Sequence, residues 1–498
     1  MEKPKMSFSI IDVAFAAAMI VCGFLYWNLV LDVNIWGAGV TIFSVIIFAV
    51  TFIYVTKSGF KQNPQSIVCL ILAALAAAQF SLFDGLFVSI LNFLFLSAIF
   101  VYWVCLVTGR RIDTKLSIYA LGDVIQQGVI VPLANFICCL SAIANFPKKK
   151  SMTKILLAIG GIVIFLPFLI AVVLLLISAD LAFENFVREV FGAIHIEAII
   201  RYIWHFVFGI PIASYLFGLI YGDVKGRYVD QITVESMDDT ARIIRIAPEV
   251  TIYSALTAFN IIYLVFFLVQ AAYLFSAFSG NLPEMFTYAE YARRGFFELC
   301  AVAGINLGVL AIAHLTMKRD LGEERKMLRI QAAAISLSTL LLIVTALSKM
   351  ILYIDAYGLT QLRVFTSWFM ILLLFIFVIV GVRQFKKFNA TRFAVGGFIV
   401  LFLLLSYGNV DGIIAQYNIN RYEAGTLETL DFTTLARLSD AAVPHLDGMY
   451  QRADGNDELR QQLALTIRGS GTRETHGFRE FNYQRHQAYE IRNGIKVE

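Results

Sequence analysis

Residues 9 to 31, SIIDVAFAAAMIVCGFLYWNLVL, form an apolar run with a single charge, Asp12, near its start. The run is about the ~20 residues that carry a helix across a bilayer, and it is longer than the core of a cleavable signal peptide. It reads as an uncleaved first membrane span. Cys22 is not a lipoprotein cysteine, because Met19-Ile20-Val21 before it lacks the small residue that such processing requires.

Working outward, the rest of the chain repeats this pattern. Of 498 residues, 59% are hydrophobic and 15% charged, with a mean hydropathy of +0.74, outside the range of soluble domains. Further runs of spanning length lie at about 35–56, 66–83, 86–107, 155–177, 203–222, 250–275, 296–315, 331–353, 364–382 and 393–408. The expected fold is therefore an all-α, polytopic helical membrane protein with about eleven transmembrane helices.

Orientation follows from the basic residues. With the N-terminus inside, 24 Lys and Arg fall in inner segments, in clusters such as Lys57/Lys61, Arg110/Arg111/Lys115, Lys148–Lys150 and Arg383/Lys386/Lys387. The outer loops before the last span hold five: Arg188, Arg201, Arg293, Arg294 and Arg363. The positive-inside rule then places the N-terminus in the cytoplasm. The formal charge of +4 is small and confined to such clusters, so nucleic acid is not an expected partner. Cys22, Cys69, Cys105, Cys138, Cys139 and Cys300 all lie in or beside apolar runs, which suits small core residues and offers no disulfide framework or metal set.

Residues 116–146 break the alternation. Basic clusters that read as cytoplasmic flank them on both sides, and ~30 residues are too few for two crossings. Asp123, Gln126, Gln127 and Asn135, with Gly128 and Pro132 as interruptions, suit an interfacial helix or a re-entrant hairpin shielded by protein. The outer segment 178–202 mixes Asp180, Glu184, Arg188, Glu189, His195, Glu197 and Arg201 with apolar residues, as in a helix along the outer interface. His195 and His205 do not have the spacing of the helical zinc motif, so no metal and no cofactor are expected. GLIYG at 218–222 and GINLG at 304–308 match the small-residue pattern for close helix packing, a pattern that also arises by chance.

The charges at span edges carry the functional expectation. YAEYARRGFFELC at 288–300 sets Glu290, Arg294 and Glu298 at i, i+4 and i+8 on one helical face, directly against an apolar run. This is either a salt-bridge ladder anchoring a helix or a ligand site. Under the topology above, Glu290, Arg293, Arg294, Glu298, Lys349, Asp355, Arg363, Asp411 and Arg421 all lie near the outer leaflet, and they are expected to form one polar cluster. Lys349 either pairs with Asp355 or Glu298 or snorkels to the interface. Asn260, Gln270 and Asn306 either line a cavity continuing inward or make ordinary interhelical hydrogen bonds. No catalytic residue is assigned.

Three stretches together resemble the bacterial multi-pass membrane proteins known as domain of unknown function 4173, with the neighbouring group 4153. They are YLVFFLVQAAYLFSAFSG at 263–280 running on to YAEYARRGFFELC, KMILYIDAYGLTQLRVFTSWFM at 349–370, and NVDGIIAQYNINRY at 409–422 followed by LDFTTLARLSDAAVPHL and FREFNYQRHQAYEIRNG. The resemblance covers about half of the chain, from about residue 250 onward. It implies a bacterial plasma-membrane protein and brings no activity or substrate with it.

After Arg421 the chain turns polar. Asp431, Ser439 and Asn456 read as helix starts and GSGTRETHG at 469–477 as a loop, so a small helical extracytoplasmic domain is expected. At under ~80 residues it needs support, so it is expected to pack on the outer loops. The domain plan is then 1–115, a four-span bundle; 116–146, the interfacial or re-entrant segment; 147–422, a seven-span bundle; and 423–498, the outer tail.

Three functions compete. The first is transport or handling of an anionic lipid or solute through an outer-facing charged cavity. No nucleotide-binding GxxxxGK[ST] loop is present, so any transport is ion-driven, passive or powered by another subunit. The second is a non-catalytic membrane subunit or sensor whose tail docks a protein through Phe478, Phe481, Tyr483 and Tyr489. The third, a polyprenyl-dependent transferase, is disfavoured by a first outer loop of only about Asp32 to Asn34.

Overall fold

The computed structural model describes residues 8–113, 115–144, 196–279, 296–318, 325–453, 455–469 and 477–495, with a few isolated positions between 172 and 183. The regular secondary structure of the described residues is all helical, apart from one isolated bridge between Ala247 and Met317. Eleven stretches among them are long and apolar enough to cross a membrane. One of these is Gly122–Ala144, in the segment expected to be interfacial or re-entrant, whereas the expected span 155–177 falls outside the described residues but for isolated positions.

The first bundle is built on α1 (Ile10–Tyr26, continued by a π turn Trp27–Leu31), α2 (Ala38–Lys57), α3 (Pro64–Leu82) and α4 (Leu86–Thr108). Local chemistry sets the helix ends. At the start of α1, the Asp12 N–H donates to Ser9 Oγ at 3.2 Å and the Ser9 N–H donates to Asp12 Oδ2 at 2.8 Å, a reciprocal cap. Asn63 and Ser66 repeat that cap on α3, with Pro64 in the first turn where no N–H is needed. Gly109, at a φ of +68°, ends α4 in the left-handed region.

Two short helical pieces follow: α5, broken by a π turn (Ala120–Ile125, Gln126–Ile130, Val131–Ala134), and α6 (Cys138–Ala144). The long helix α7 (Ile196–Lys225) then runs antiparallel to α1. At one end Lys225 Nζ meets Asp12 Oδ2 at 2.9 Å, and Tyr54 donates its hydroxyl to Asp12 Oδ1 at 2.8 Å. At the other end His205 Nε2 lies 3.4 Å from Asp32. Between them the backbones nearly touch: a methyl group on Gly23 would sit 2.1 Å from the Gly209 carbonyl oxygen. Glycine at both positions is what permits this crossing.

The bonds of α5 and its neighbouring loops lie at the Asp12 end. Asn135 bonds the Arg227 side chain at 3.0 Å, Ile112 donates to Asp123 at 2.8 Å, and Gln126 donates to the Val229 carbonyl. The GLIYG glycines serve this packing, since a methyl on Gly218 would lie 2.6 Å from the Pro132 carbonyl oxygen and one on Gly222 would lie 2.4 Å from Val131. The matching GINLG pattern does nothing comparable, because both Gly304 and Gly308 face open space.

After α8 (Val234–Ile244), a second apolar cluster joins α9 (Glu249–Ser279), α10 (Phe296–Thr316), α11 (Lys326–Tyr357) and α12 (Gln361–Phe385). The next helix, α13 (Ala390–Tyr407), touches both bundles. Its Phe402 packs on Phe95 of α4 at 4.7 Å between ring centres, and its Leu401 carbonyl accepts the Trp368 indole of α12 at 2.9 Å.

A third apolar cluster is enclosed by α14 (Val410–Glu423), α15 (Phe432–Ala436), α16 (Val443–Arg452), α17 (Asp457–Gly469) and α18 (Tyr483–Gly494). The stretch leading into α18 lies across the Asp32 end of the first bundle. Ala38 donates its N–H to the Phe481 carbonyl at 2.8 Å, Asn34 donates to Glu480 Oε1 at 2.8 Å, and Arg479 donates to the Asn28 carbonyl at 2.9 Å. Gly37 is needed for this contact, because a methyl there would lie 2.6 Å from the Glu480 carbonyl carbon.

Candidate functional site: a cleft beneath the C-terminal helices

A cleft of about 850 Å³ opens where α4, α12, α13 and the C-terminal helices meet. Its polar end is held by two carboxylates, each on a different piece of chain. Asp84, in the turn between α3 and α4, accepts at Oδ1 from Arg485 Nε at 3.1 Å and Nη2 at 2.9 Å. Its Oδ2 accepts from the Asp440 N–H at 3.2 Å. The Asp84 N–H itself donates to Gln484 Oε1 at 2.7 Å, so the turn is held on both sides by α18.

Asp411 stands in the first turn of α14, where a carboxylate is stabilised by the helix dipole. It accepts from Gln361 Nε2 at 2.8 and 2.9 Å and from the Ser439 N–H at 2.9 Å. These bonds fill most of its acceptor sites without neutralising its charge. Two residues before Ser439, Arg437 is an exposed side chain on the same cleft. The Arg437 side chain makes no hydrogen bond among the described residues, and its charge lies within electrostatic range of Asp431. The opposite end is apolar, with Phe83, Leu86, Phe87 and Ile90 on one wall and Phe365 and Leu405 on the other.

The residues expected to form one cluster are divided among several contacts. Glu290, Arg293 and Arg294 lie outside the described residues, as does the side chain of Gln270. Glu298 is exposed on α10 and within electrostatic range of Lys349 on α11. Asp355 pairs instead with Arg421 at 2.9 Å, and Arg421 also donates to the Thr426 carbonyl at 2.9 Å. Arg363 stacks 4.0 Å from the Tyr353 ring centre and donates to the Tyr357 and Gly358 carbonyls, closing the end of α11. Of the six that are described, only Asp411 lines the cleft.

Asn306 and Asn260 are used between helices. Asn306, fully buried, donates to Thr339 at 2.8 Å and accepts from the Tyr263 hydroxyl, while Asn260 donates to the Gln331 carbonyl at 3.4 Å. Among the described residues no group of three or more His, Cys, Asp or Glu is placed to hold a metal ion.

Asp84, Gln361, Arg437 and Arg485 were not singled out by the sequence, and Ser439 was read only as a helix start. One signal was available: Asp84 is the only charged residue between Lys61 and Arg110, and it stands in a turn between two spans. Nothing local to Arg437 or Arg485 marks them, because their roles depend on how the tail folds back.

The family described as Domain of unknown function (DUF4153) matches residues 67–449, well over half of the chain. The chain belongs to this family. The DUF4153 match begins within α3 and ends within α16, so it reaches further toward the N-terminus than the resemblance from residue 250 onward. It takes in Asp84, Gln361, Asp411, Arg437 and Ser439, while Arg485 lies beyond it. No curated protein matches, and no solved structure does. Family and helices together make this DUF4153 chain a multi-pass membrane protein.

Proposed function

We propose that the protein transports or handles a lipid or solute through its anionic group, bound in the cleft beneath the C-terminal helices. In this reading the Asp12 end of the first bundle faces the cytoplasm, and the C-terminal helices form a small extracytoplasmic domain over the cleft. The distribution of basic residues supports that orientation.

The observation that carries the reading is Arg437. An arginine at the wall of a large cleft, whose guanidinium makes no hydrogen bond among the described residues, offers bidentate donors to a carboxylate or phosphate. Native mass spectra of protein purified gently from its membrane test it: a bound species carrying an anionic group is expected on the wild type and lost from Arg437→Gln. Identical spectra from both would overturn it.

A second reading is a membrane subunit or sensor that docks a protein through its tail. It is favoured by Phe478 at 68% exposure and Tyr483 at 51%, close together in sequence on the tail's surface. A stoichiometric second protein with no small ligand in the same spectra would select it.

A further inference from the structure

The charges of the cleft narrow the ligand beyond an anionic group. Two arginines and two carboxylates line it, Arg437, Arg485, Asp84 and Asp411, so its formal charge is balanced. Asp84 and Arg485 neutralise each other at 2.9 Å. That leaves one positive and one negative group facing the space: Arg437, and Asp411 held by neutral donors. Arg437 lies close to Asp411 along the chain's path, because the backbone N–H of Ser439, two residues past Arg437, is bonded to Asp411. A purely anionic ligand would meet the Asp411 charge as well as Arg437. A ligand with an anion and a hydrogen-bonding cation a few ångströms apart meets both favourably.

The apolar end indicates where such a ligand comes from. Leu86, Phe87 and Ile90 are 76%, 48% and 43% exposed on α4 while also lining the cleft, so the wall continues onto the outer surface of a helix long and apolar enough to cross a membrane. Phe87 meets Phe365 of α12 at 4.6 Å between ring centres, across the seam between the two bundles. A solute arriving from water gains nothing from this slot, whereas an acyl chain fits it.

We propose that the occupant is a membrane lipid with a zwitterionic head carrying a phosphate and a primary ammonium, taken sideways from the bilayer. Its phosphate pairs with Arg437, its ammonium donates to Asp411, and its chain lies along α4 past Phe87 and Phe365. The proposal rests on the cleft being the ligand site.

The test uses the full chain in vesicles of bromine-labelled lipids that differ only in headgroup: phosphatidylethanolamine, phosphatidylcholine and phosphatidylglycerol. The probe is Phe87→Trp, read as quenching beyond that of the native tryptophans. Phosphatidylethanolamine is expected to quench at a concentration roughly tenfold below that of the other two, the factor for one charge-assisted hydrogen bond. Asp411→Asn, which keeps acceptor atoms for Gln361 and Ser439, should abolish that preference. Arg437→Gln should weaken all three lipids, and Arg437→Lys should recover part of the loss.

Equal quenching by phosphatidylethanolamine and phosphatidylcholine would overturn the ammonium contact. Strongest quenching by phosphatidylglycerol would overturn the zwitterion and leave the anion-binding cleft standing. If no lipid quenches at position 87 while soluble glycerol phosphate protects the cleft from arginine-modifying reagent, sideways loading fails and the cleft survives. Indifference of every probe to Arg437 would remove both proposals together.

Discussion

Arg485 grips Asp84 through Nε and Nη2, at 3.1 and 2.9 Å, joining the last described helix to the turn between the third and fourth. Both side chains are mostly buried, at 12% and 14% exposure, so the pair works in a medium that screens it poorly. Cutting either partner leaves a desolvated charge behind. Arg485→Ala and Asp84→Ala should each cost about 2 to 3 kcal/mol of tail docking. Hydrogen exchange at residues 477–485 should accelerate in both, and the double variant should be less damaging than the sum of the singles. Additive effects would mean the pair contributes nothing as a pair.

The two small-residue patterns make a matched comparison. At Gly222 a methyl would lie 2.4 Å from Val131 and 2.6 Å from the Asn135 amide, whereas at Gly304 it would meet nothing within 4 Å. Gly222→Ala should therefore lower the melting temperature, by a strain of about 1 to 3 kcal/mol. Gly304→Ala should leave it unchanged or raise it slightly, since alanine is the better helix former by about 1 kcal/mol. A thermal-shift assay in detergent separates the two; equal responses would contradict the packing of α7 against α5.

That comparison also shows what the sequence could and could not carry. Span existence was legible because a bilayer crossing needs a long apolar run whatever it packs against, and α2, α3, α4 and α11 follow directly. The starts of the helices at Asp431 and Asn456 were legible because their side chains accept from Thr434 at 3.0 Å and Leu459 at 3.1 Å. Tertiary partners were not. GLIYG and GINLG are the same pattern, and only the position of α5 makes one a contact. Asp411, Asp355 and Arg363 were grouped because each stands at the same end of a span, yet each finished with a different partner. Depth in a membrane fixes one coordinate, while pairing depends on rotation about each helix axis. The cleft was harder still, since Asp84 and Arg485 are brought together by the fold across most of the chain.

His445, on α16 in the C-terminal helices, supplies a pH dependence. Burial lowers its imidazole from the ordinary value of 6.5, so the folded chain holds it neutral where the unfolded chain would take a proton. The unfolded state then binds more protons just below pH 6.5, and stability must rise with pH across that window. The C-terminal helices should lose stability as pH falls through 6.5 toward the lowered value, and level off beneath it. Hydrogen exchange of residues 443–452 at pH 7.5 and 5.5 measures this, with His445→Gln expected to flatten the difference. An unchanged slope in that variant would assign the effect to another group.

Asn306 separates a polar cavity from a helix clasp. It is fully buried, donates to Thr339 of α11 at 2.8 Å and accepts from the Tyr263 hydroxyl of α9, so one side chain ties three helices together. Such bonds inside a membrane bundle are worth about 0.6 kcal/mol each, with a ceiling near 1.7, because the separated helices find other partners. Asn306→Leu should accordingly lower stability by about 1 to 2 kcal/mol, most of it from the Tyr263 hydroxyl left without its acceptor, since Thr339 still donates to the Ile335 carbonyl at 2.7 Å. Pairing it with Tyr263→Phe should recover part of that loss, since the second change removes the orphaned hydroxyl. Lipid quenching at position 87 should not respond to either substitution, the cleft being lined by other helices. A stable Asn306→Leu protein with altered lipid binding would instead make Asn306 part of a pathway running on from the cleft between α9, α10 and α11.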